Sequence, residues 1–310
     1  MGRFHRHDDG TVHSHSHDDV AGHSRDGEQG HSHSHDDGVG HSHGDGADHA
    51  HSHPHGEEPS QWVGDHSGYG TEVERVEVLE RIFSENDAAA AANRAAFDAA
   101  GVTAVNIMSS PGAGKTTLLA ATLKALRQRA EASGGARVRA GIVEGDIETA
   151  IDADRLRGLA DQVALLNTGN GFGGECHLDA PMVARALRDL DLEALDLLLI
   201  ENVGNLVCPA EFDVGAHRKA MVFSVTEGED KPLKYPVMFK VVEAVVVNKV
   251  DLLPYLDFDS GAFLANLAAV NPTARVISAS AKTGVGIDEW LDWLTASENQ
   301  PAGLAANLTA

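Results

Sequence analysis

The stretch that most limits what this chain can fold into is Ser109-Ser110-Pro111-Gly112-Ala113-Gly114-Lys115-Thr116. An apolar run, Val102 to Met108, leads into it, and a leucine-rich run, Thr117 to Leu126, leads out. The order reads as strand, glycine-rich loop, helix. Phosphate carries a dense, strongly hydrated charge, and inward-facing backbone N–H groups at the positive end of a helix replace that hydration. Gly112 and Gly114 let the backbone approach, Ala113 and Thr117 complete the cradle, Lys115 reaches the β- and γ-phosphates, and the Thr116 hydroxyl is placed for Mg²⁺. Ser109 stands where the usual pattern, G-x-x-x-x-G-K-[ST], has its first glycine.

The rest of the chain repeats the strand–helix theme. Val138 to Val143, Val163 to Asn167, Leu195 to Ile200, Met221 to Val225, Ala244 to Val247 and Arg275 to Ser278 read as further strands. Several are unbroken apolar runs, the pattern of parallel strands buried on both faces. Helices are expected over 72–100, where Val73, Val76, Leu79, Ile82 and Phe83 form an apolar stripe, over 180–190, around 265–269, and around Trp290, Leu291 and Leu294. The expected fold is α/β: a P-loop NTPase over 71–297, with a mostly parallel sheet of about seven strands and helices on both faces. A polar, frayed tail is expected over 298–310.

Ligands of such sheets gather at the carboxyl ends of the strands. Asp146, in Glu144-Gly145-Asp146, stands at one such end as a candidate for Mg²⁺ or for the attacking water, or else as a helix cap. Glu201, in Glu201-Asn202-Val203-Gly204, is a second acid placed for Mg²⁺, and Gly204 offers a backbone N–H to a γ-phosphate. Lys115, Asp146 and Glu201 are therefore the candidate catalytic groups. Asn248-Lys249-Val250-Asp251 follows another strand. A carboxylate there accepts from both guanine N1–H and the 2-amino group, a donor pair that adenine lacks. Ser280-Ala281-Lys282 follows the last strand and is expected to lie against guanine O6. GTP and GDP are the expected nucleotides.

Residues 1–70 are of a different kind. Sixteen of the 18 histidines lie at or before His66, interleaved with Asp, Gly and Ser. They cluster as His13, His15 and His17; His31, His33 and His35; His41 and His43; and His49, His51, His53 and His55. Almost no Leu, Ile or Phe is present, so burial cannot offset chain entropy and disorder is expected. Neutral imidazole binds divalent nickel, copper and zinc, and overlapping weak sites favour capacity over selectivity. A solvated spacer or a purification tag is the plainer reading, although a tag has consecutive histidines.

The net charge of −23 argues against nucleic acid or an anionic membrane as the main partner. No apolar run of about 18 residues would span a membrane, and the polar N-terminus does not resemble a secretory signal. Only two cysteines are present, too few for a disulfide framework, and a reducing cytoplasm is expected. Cys176-His177 follows one strand and Cys208 follows the next. Adjacent parallel strands would bring two thiolates and one imidazole together, a set that suits zinc or nickel. Two unrelated thiols are the alternative.

Taken together, Ser109 to Thr117, Glu144 to Asp146, Glu175-Cys176-His177, Ile200 to Pro209, Asp230 to Phe239, Asn248 to Asp251 and Ser280 to Gly284 resemble the hydrogenase nickel-incorporation GTPases, a HypB-type group of the signal-recognition-particle/MinD-like class. The resemblance covers about residues 70–295. It implies a slow, Mg²⁺-dependent GTPase that helps deliver nickel to the [NiFe]-hydrogenase large-subunit precursor. It also implies GTP-linked homodimerisation and partnership with the accessory protein HypA. Cys176, His177 and Cys208 would be the Ni²⁺/Zn²⁺ site of the GTPase domain. Some members carry an N-terminal cysteine motif, but no Cys precedes Cys176 here, so nickel held by the tail would be held by histidine. Accessory GTPases of urease type and a nickel-storage protein are the alternative readings.

Overall fold

A computed structural model describes residues 72–145, 156–166 and 177–296, together with 3–6, 12–15, 32–33 and 41–42; in 72–79 and in the four short segments only the backbone is described. The chain divides into two compact units, Met1–Gly64 and Asp65–Ala310. In the first, Arg3–Arg6 pairs antiparallel with Val12–His15, and Ser32–His33 with His41–Ser42, which sets His5 opposite His13 and His33 opposite His41. Isolated two-stranded ladders of this length are marginal in water. His15 faces Arg3, while the remaining tail histidines singled out above, and the expected tail over 298–310, lie outside the described residues.

The second unit is built on seven strands: β1 (Thr103–Ser109), β2 (Ala140–Glu144), β3 (Gln162–Leu165), β4 (Leu197–Gly204), β5 (Arg218–Ser224), β6 (Ala244–Asn248) and β7 (Arg275–Ser278). Their order in the sheet is β7-β6-β5-β1-β4-β2-β3. Every neighbouring pair is parallel, as the apolar runs predicted. Among the described residues the α-helices are α1 (Glu72–Ala100), α2 (Lys115–Ser133), α3 (Ala180–Ala186), α4 (Cys208–Glu211), α5 (Lys231–Lys234), α6 (Pro236–Lys240), α7 (Ser260–Val270) and α8 (Ile287–Thr295). Among them no helix is long and apolar enough to cross a membrane.

Alternation along β4 shows how the layers form. Leu197 and Leu199 join a core with Leu118, Leu119 and Leu123 of α2 and Trp290 of α8. Leu198 and Ile200 join the opposite core with Phe97 of α1 and Met182 and Val183 of α3. Successive strand residues point to opposite faces. Glu201 therefore points to the α2 side and Asn202 is turned toward the α1–α3 side.

The stripe predicted along α1 is corrected where its side chains are described. Ile82 and Phe83 are 44% and 37% exposed. The packing face is instead Asn86, Ala90, Asn93 and Phe97, all buried and spaced for one helical face. Two of these are polar and carry hydrogen bonds in place of apolar contact. Asn86 Nδ2 donates to Asp213 O (2.9 Å) and its Oδ1 accepts from Ala180 N (2.9 Å). Asn93 Nδ2 donates to Ala180 O (2.9 Å) and Val214 O (3.1 Å).

The close approach of α1 depends on Gly215. Its φ is +85°, and a Cβ there would lie 2.3 Å from Ala90 O and 3.0 Å from Asn93 Cβ. Gly215→Ala is expected to cost about 3–5 kcal/mol, from left-handed strain plus overpacking. A denaturant titration checks this; a loss below about 1 kcal/mol, the size of an ordinary substitution, would show that α1 is not seated as described.

Candidate functional site

Three loops at the carboxyl end of the sheet converge. Helix α2 starts at Lys115, and its N-cap, Gly114, makes no side-chain capping bond. The first N–H groups of a helix carry its positive end, where an anion is favoured. Lys115 is buried and its Nζ donates to Ser109 Oγ (3.0 Å), while Ser109 Oγ donates to Ser110 O (2.6 Å). The serine that replaces the usual first glycine is fully buried and holds the loop lysine.

Thr116 Oγ1 donates to Glu201 Oε1 (2.9 Å), and Glu201 is fully buried at the end of β4. A hydroxyl beside a carboxylate is an oxygen donor set that fits Mg²⁺. Asp146 lies outside the described residues. Glu144, not singled out from the sequence as a site residue, is a second buried carboxylate and pairs in register with Glu201. Gly204 closes on the loop: a Cβ there would lie 3.0 Å from Pro111 Cα and 3.4 Å from Lys115 Nζ.

Asn248 ties the phosphate loop to the last loop. Its Nδ2 donates to Ala113 O (2.9 Å) and its Oδ1 accepts from Ala281 N (3.2 Å). Lys249, left-handed at φ 63°, donates from Nζ to Gly112 O (2.7 Å). Asp251 Oδ1 accepts from Ser280 Oγ (2.6 Å), which aims the carboxylate. Gly114, Thr117, Asn248, Lys249, Asp251, Leu252, Ala281 and Lys282 enclose a cavity of about 240 Å³. Its lining combines the Asp251 carboxylate with the loop of Ala281 and Lys282, and a carboxylate can accept from two adjacent donors of a purine.

The cysteine–histidine region lies across the sheet from α2. Cys208 is half-buried and opens α4. The His177 ring stacks on Phe212 at 4.1 Å and 29°, and Phe212 stacks on Phe83 of α1 at 5.3 Å and 28°. His177 is thereby held against the residue just beyond α4, the helix that Cys208 begins. Cys176 lies outside the described residues, and no group of three His, Cys, Asp or Glu suited to a metal occurs among the described ones. The aromatic stack had no signal in the sequence, because Phe83 and Phe212 are distant in the chain and fall in no motif. Nearby, burial pushes the Asp213 carboxyl up, but the Gly215 N–H and the Lys219 ammonium outweigh it and hold its pKa below the ordinary value. Whatever stability this adds is lost as pH falls through that depressed pKa.

Residues 103–278 match the family described as CobW/HypB/UreG, nucleotide-binding domain. The hydrogenase maturation factor HypB of Rhizobium leguminosarum bv. viciae is 48% identical over 229 residues, covering 74% of this chain and 73% of that protein. The crystal structure of HypB from Archaeoglobus fulgidus is 38% identical with a TM-score of 0.60, covering 68% of this chain and 97% of that one. HypB from Helicobacter pylori, solved in complex with nickel, is 35% identical with the same TM-score of 0.60, over 68% of this chain and 93% of that one. With the phosphate loop, the guanine-type loops and the parallel sheet all in place, the chain belongs to the CobW/HypB/UreG family and, within it, to the HypB GTPases.

Proposed function

We propose that this protein is a GTP-hydrolysing nickel metallochaperone serving the maturation of a [NiFe]-hydrogenase. The observation that carries the reading is the sharing of one strand end. Glu201 and Gly204 of β4 meet the phosphate loop, and Cys208 follows four residues beyond Gly204. Nucleotide binding and metal binding thus act on one short segment, and a ligand that favours one arrangement shifts the other.

Asp251 accepts the two guanine donors, Asn248 and Lys249 brace the loop, and Ser280, Ala281 and Lys282 border the base. The amides of 112–117 and the Lys115 ammonium hold the phosphates and stabilise the charge that develops as the bond breaks. Thr116 and Glu201, with Asp146, hold Mg²⁺, which neutralises phosphate charge when bound. No glutamine or arginine stands in the motifs to orient water or to add charge, so turnover is slow and suits a switch. Cys176, His177 and Cys208 take nickel as cargo, with zinc as the competing ion. The histidines of the tail, from His13 to His55, store nickel. The partners are a second copy in the GTP state, HypA and the hydrogenase large-subunit precursor, in the cytoplasm.

Removing residues 1–68 separates the two roles. In a deletion strain, the shortened chain is expected to restore hydrogenase when nickel is ample, while cellular nickel accumulation falls. Hydrogenase that stays absent even with excess nickel would contradict the division of labour.

A further inference from the structure

Residues 201–204 do not run as a regular strand. Ile107 pairs with Glu201 but Ser109 pairs with Gly204, so β4 carries one more residue than β1 across this interval. The extra residue forms a bulge at Asn202–Val203, and bulges beside functional sites re-aim side chains. Asn202 is fully buried. Its Oδ1 accepts from Val203 N (2.9 Å), which satisfies the bulge amide, and from Leu178 N (3.0 Å). Its Nδ2 donates to Asn106 Oδ1 (3.3 Å). Leu178 directly follows His177. Asn202 is thus bonded on one side of the sheet to the backbone that carries His177, while its neighbour Glu201 is bonded on the other side to Thr116.

The far ends of the two metal loops are fixed. Asn86 and Asn93 of α1 hold both Ala180, three residues beyond His177, and the 213–214 backbone, beyond Cys208. With those ends pinned, a shift of 201–204 toward a γ-phosphate is taken up at the near end, where Asn202 holds Leu178.

We propose that Asn202 is a positioning residue that links the nucleotide state of the phosphate loop to the His177 end of the metal site. This rests on the reading that Cys176, His177 and Cys208 bind nickel with an affinity set by nucleotide. The link is a bonded one: Glu201 and Gly204 sense the phosphate side, the bulge converts their movement into movement of the Asn202 amide, and Leu178 N follows the oxygen it donates to.

The test uses the full chain and reads nickel binding by thiolate-to-nickel charge-transfer absorption. The tail cannot produce that signal because it holds no cysteine. Nickel is titrated in the presence of GDP and of a non-hydrolysable GTP analogue, in the unaltered chain, in Asn202→Ala and in Asn202→Asp. The unaltered chain is expected to show affinities that differ by about 5- to 150-fold between the two states, the usual range for coupled sites. Asn202→Ala should bind GDP normally and still bind nickel, yet bring the two affinities within about twofold, well below that coupling range. Asn202→Asp keeps the acceptor oxygen, and Asn106, whose Nδ2 has no hydrogen-bond partner, can turn its amide to donate to the new carboxylate. This variant should retain most of the difference, an outcome that a general loss of packing would not give. A wild-type difference persisting in Asn202→Ala, or a flat response in Asn202→Asp, overturns the proposal. Equal affinities in the unaltered chain would remove the underlying reading instead.

Discussion

Asp251→Asn is expected to weaken GTP binding on the order of 10²- to 10³-fold and to create a preference for xanthosine triphosphate. On the proposed reading the carboxylate accepts from guanine N1–H and the 2-amino group, and each hydrogen bond to a charged acceptor is worth about 1.5–3 kcal/mol. An amide can accept from only one of these donors and sets its own N–H against the other. Xanthine has a carbonyl where guanine has the amino group, so the same amide then accepts once and donates once. Ser280 Oγ, which lies 2.6 Å from Asp251 Oδ1, can still donate to the amide oxygen. The loop should therefore keep its shape and only its preference should invert. Competition of GTP, XTP and ATP for a fluorescent guanine nucleotide measures this. Equal weakening for all three, with no gain for XTP, would mean that Asp251 braces the loop and does not read the base.

Lys115→Met should lower kcat for GTP on the order of 10²- to 10³-fold, the usual effect of losing a group aimed at developing charge. Methionine keeps an unbranched stem in a buried position but removes the ammonium. In this structure Lys115 Nζ is held by Ser109 Oγ at 3.0 Å and lies close to Gly204. It therefore stands between the loop and the end of β4. On the proposed reading the lysine contacts the β-phosphate as well as the γ-phosphate, so GDP affinity should also fall, by a smaller factor than kcat. A kcat within about threefold of the parent, far short of the usual effect, would place charge stabilisation with the loop amides alone.

Much of this site was legible before any coordinates, for a physical reason. Phosphate and guanine recognition depend on short contiguous loops, so Gly112 to Thr117, Asn248 to Asp251 and Ser280 to Lys282 announce themselves as motifs. The parallel sheet was legible because strands buried on both faces must be apolar throughout. Its boundaries were less so. Leu195 to Ile200 predicted a strand that stops at Ile200, whereas β4 continues to Gly204. Glu201 and Asn202 are polar yet fully buried, and only their partners Thr116 and Leu178 explain why that burial is tolerated. The same blindness affected α1. A search for apolar periodicity selected Ile82 and Phe83 and passed over Asn86 and Asn93, which are buried because they bond to the backbone of a distant segment. The stack of His177, Phe212 and Phe83 joins three parts of the chain, and no local pattern encodes it.

The proposed coupling of Cys208 to the phosphate loop runs through one short segment, which Glu201 and Gly204 join to that loop. The most direct measurement is the nickel affinity of the full chain, read by thiolate charge transfer, with GDP and with a non-hydrolysable GTP analogue, and with Cys208→Ala as the control. The expected result is an affinity that differs at least fivefold between the two nucleotide states, the lower end of the coupling range, and a charge-transfer band that collapses in Cys208→Ala. An identical affinity in both states, or a band undiminished in Cys208→Ala, would contradict a metal site governed by the nucleotide.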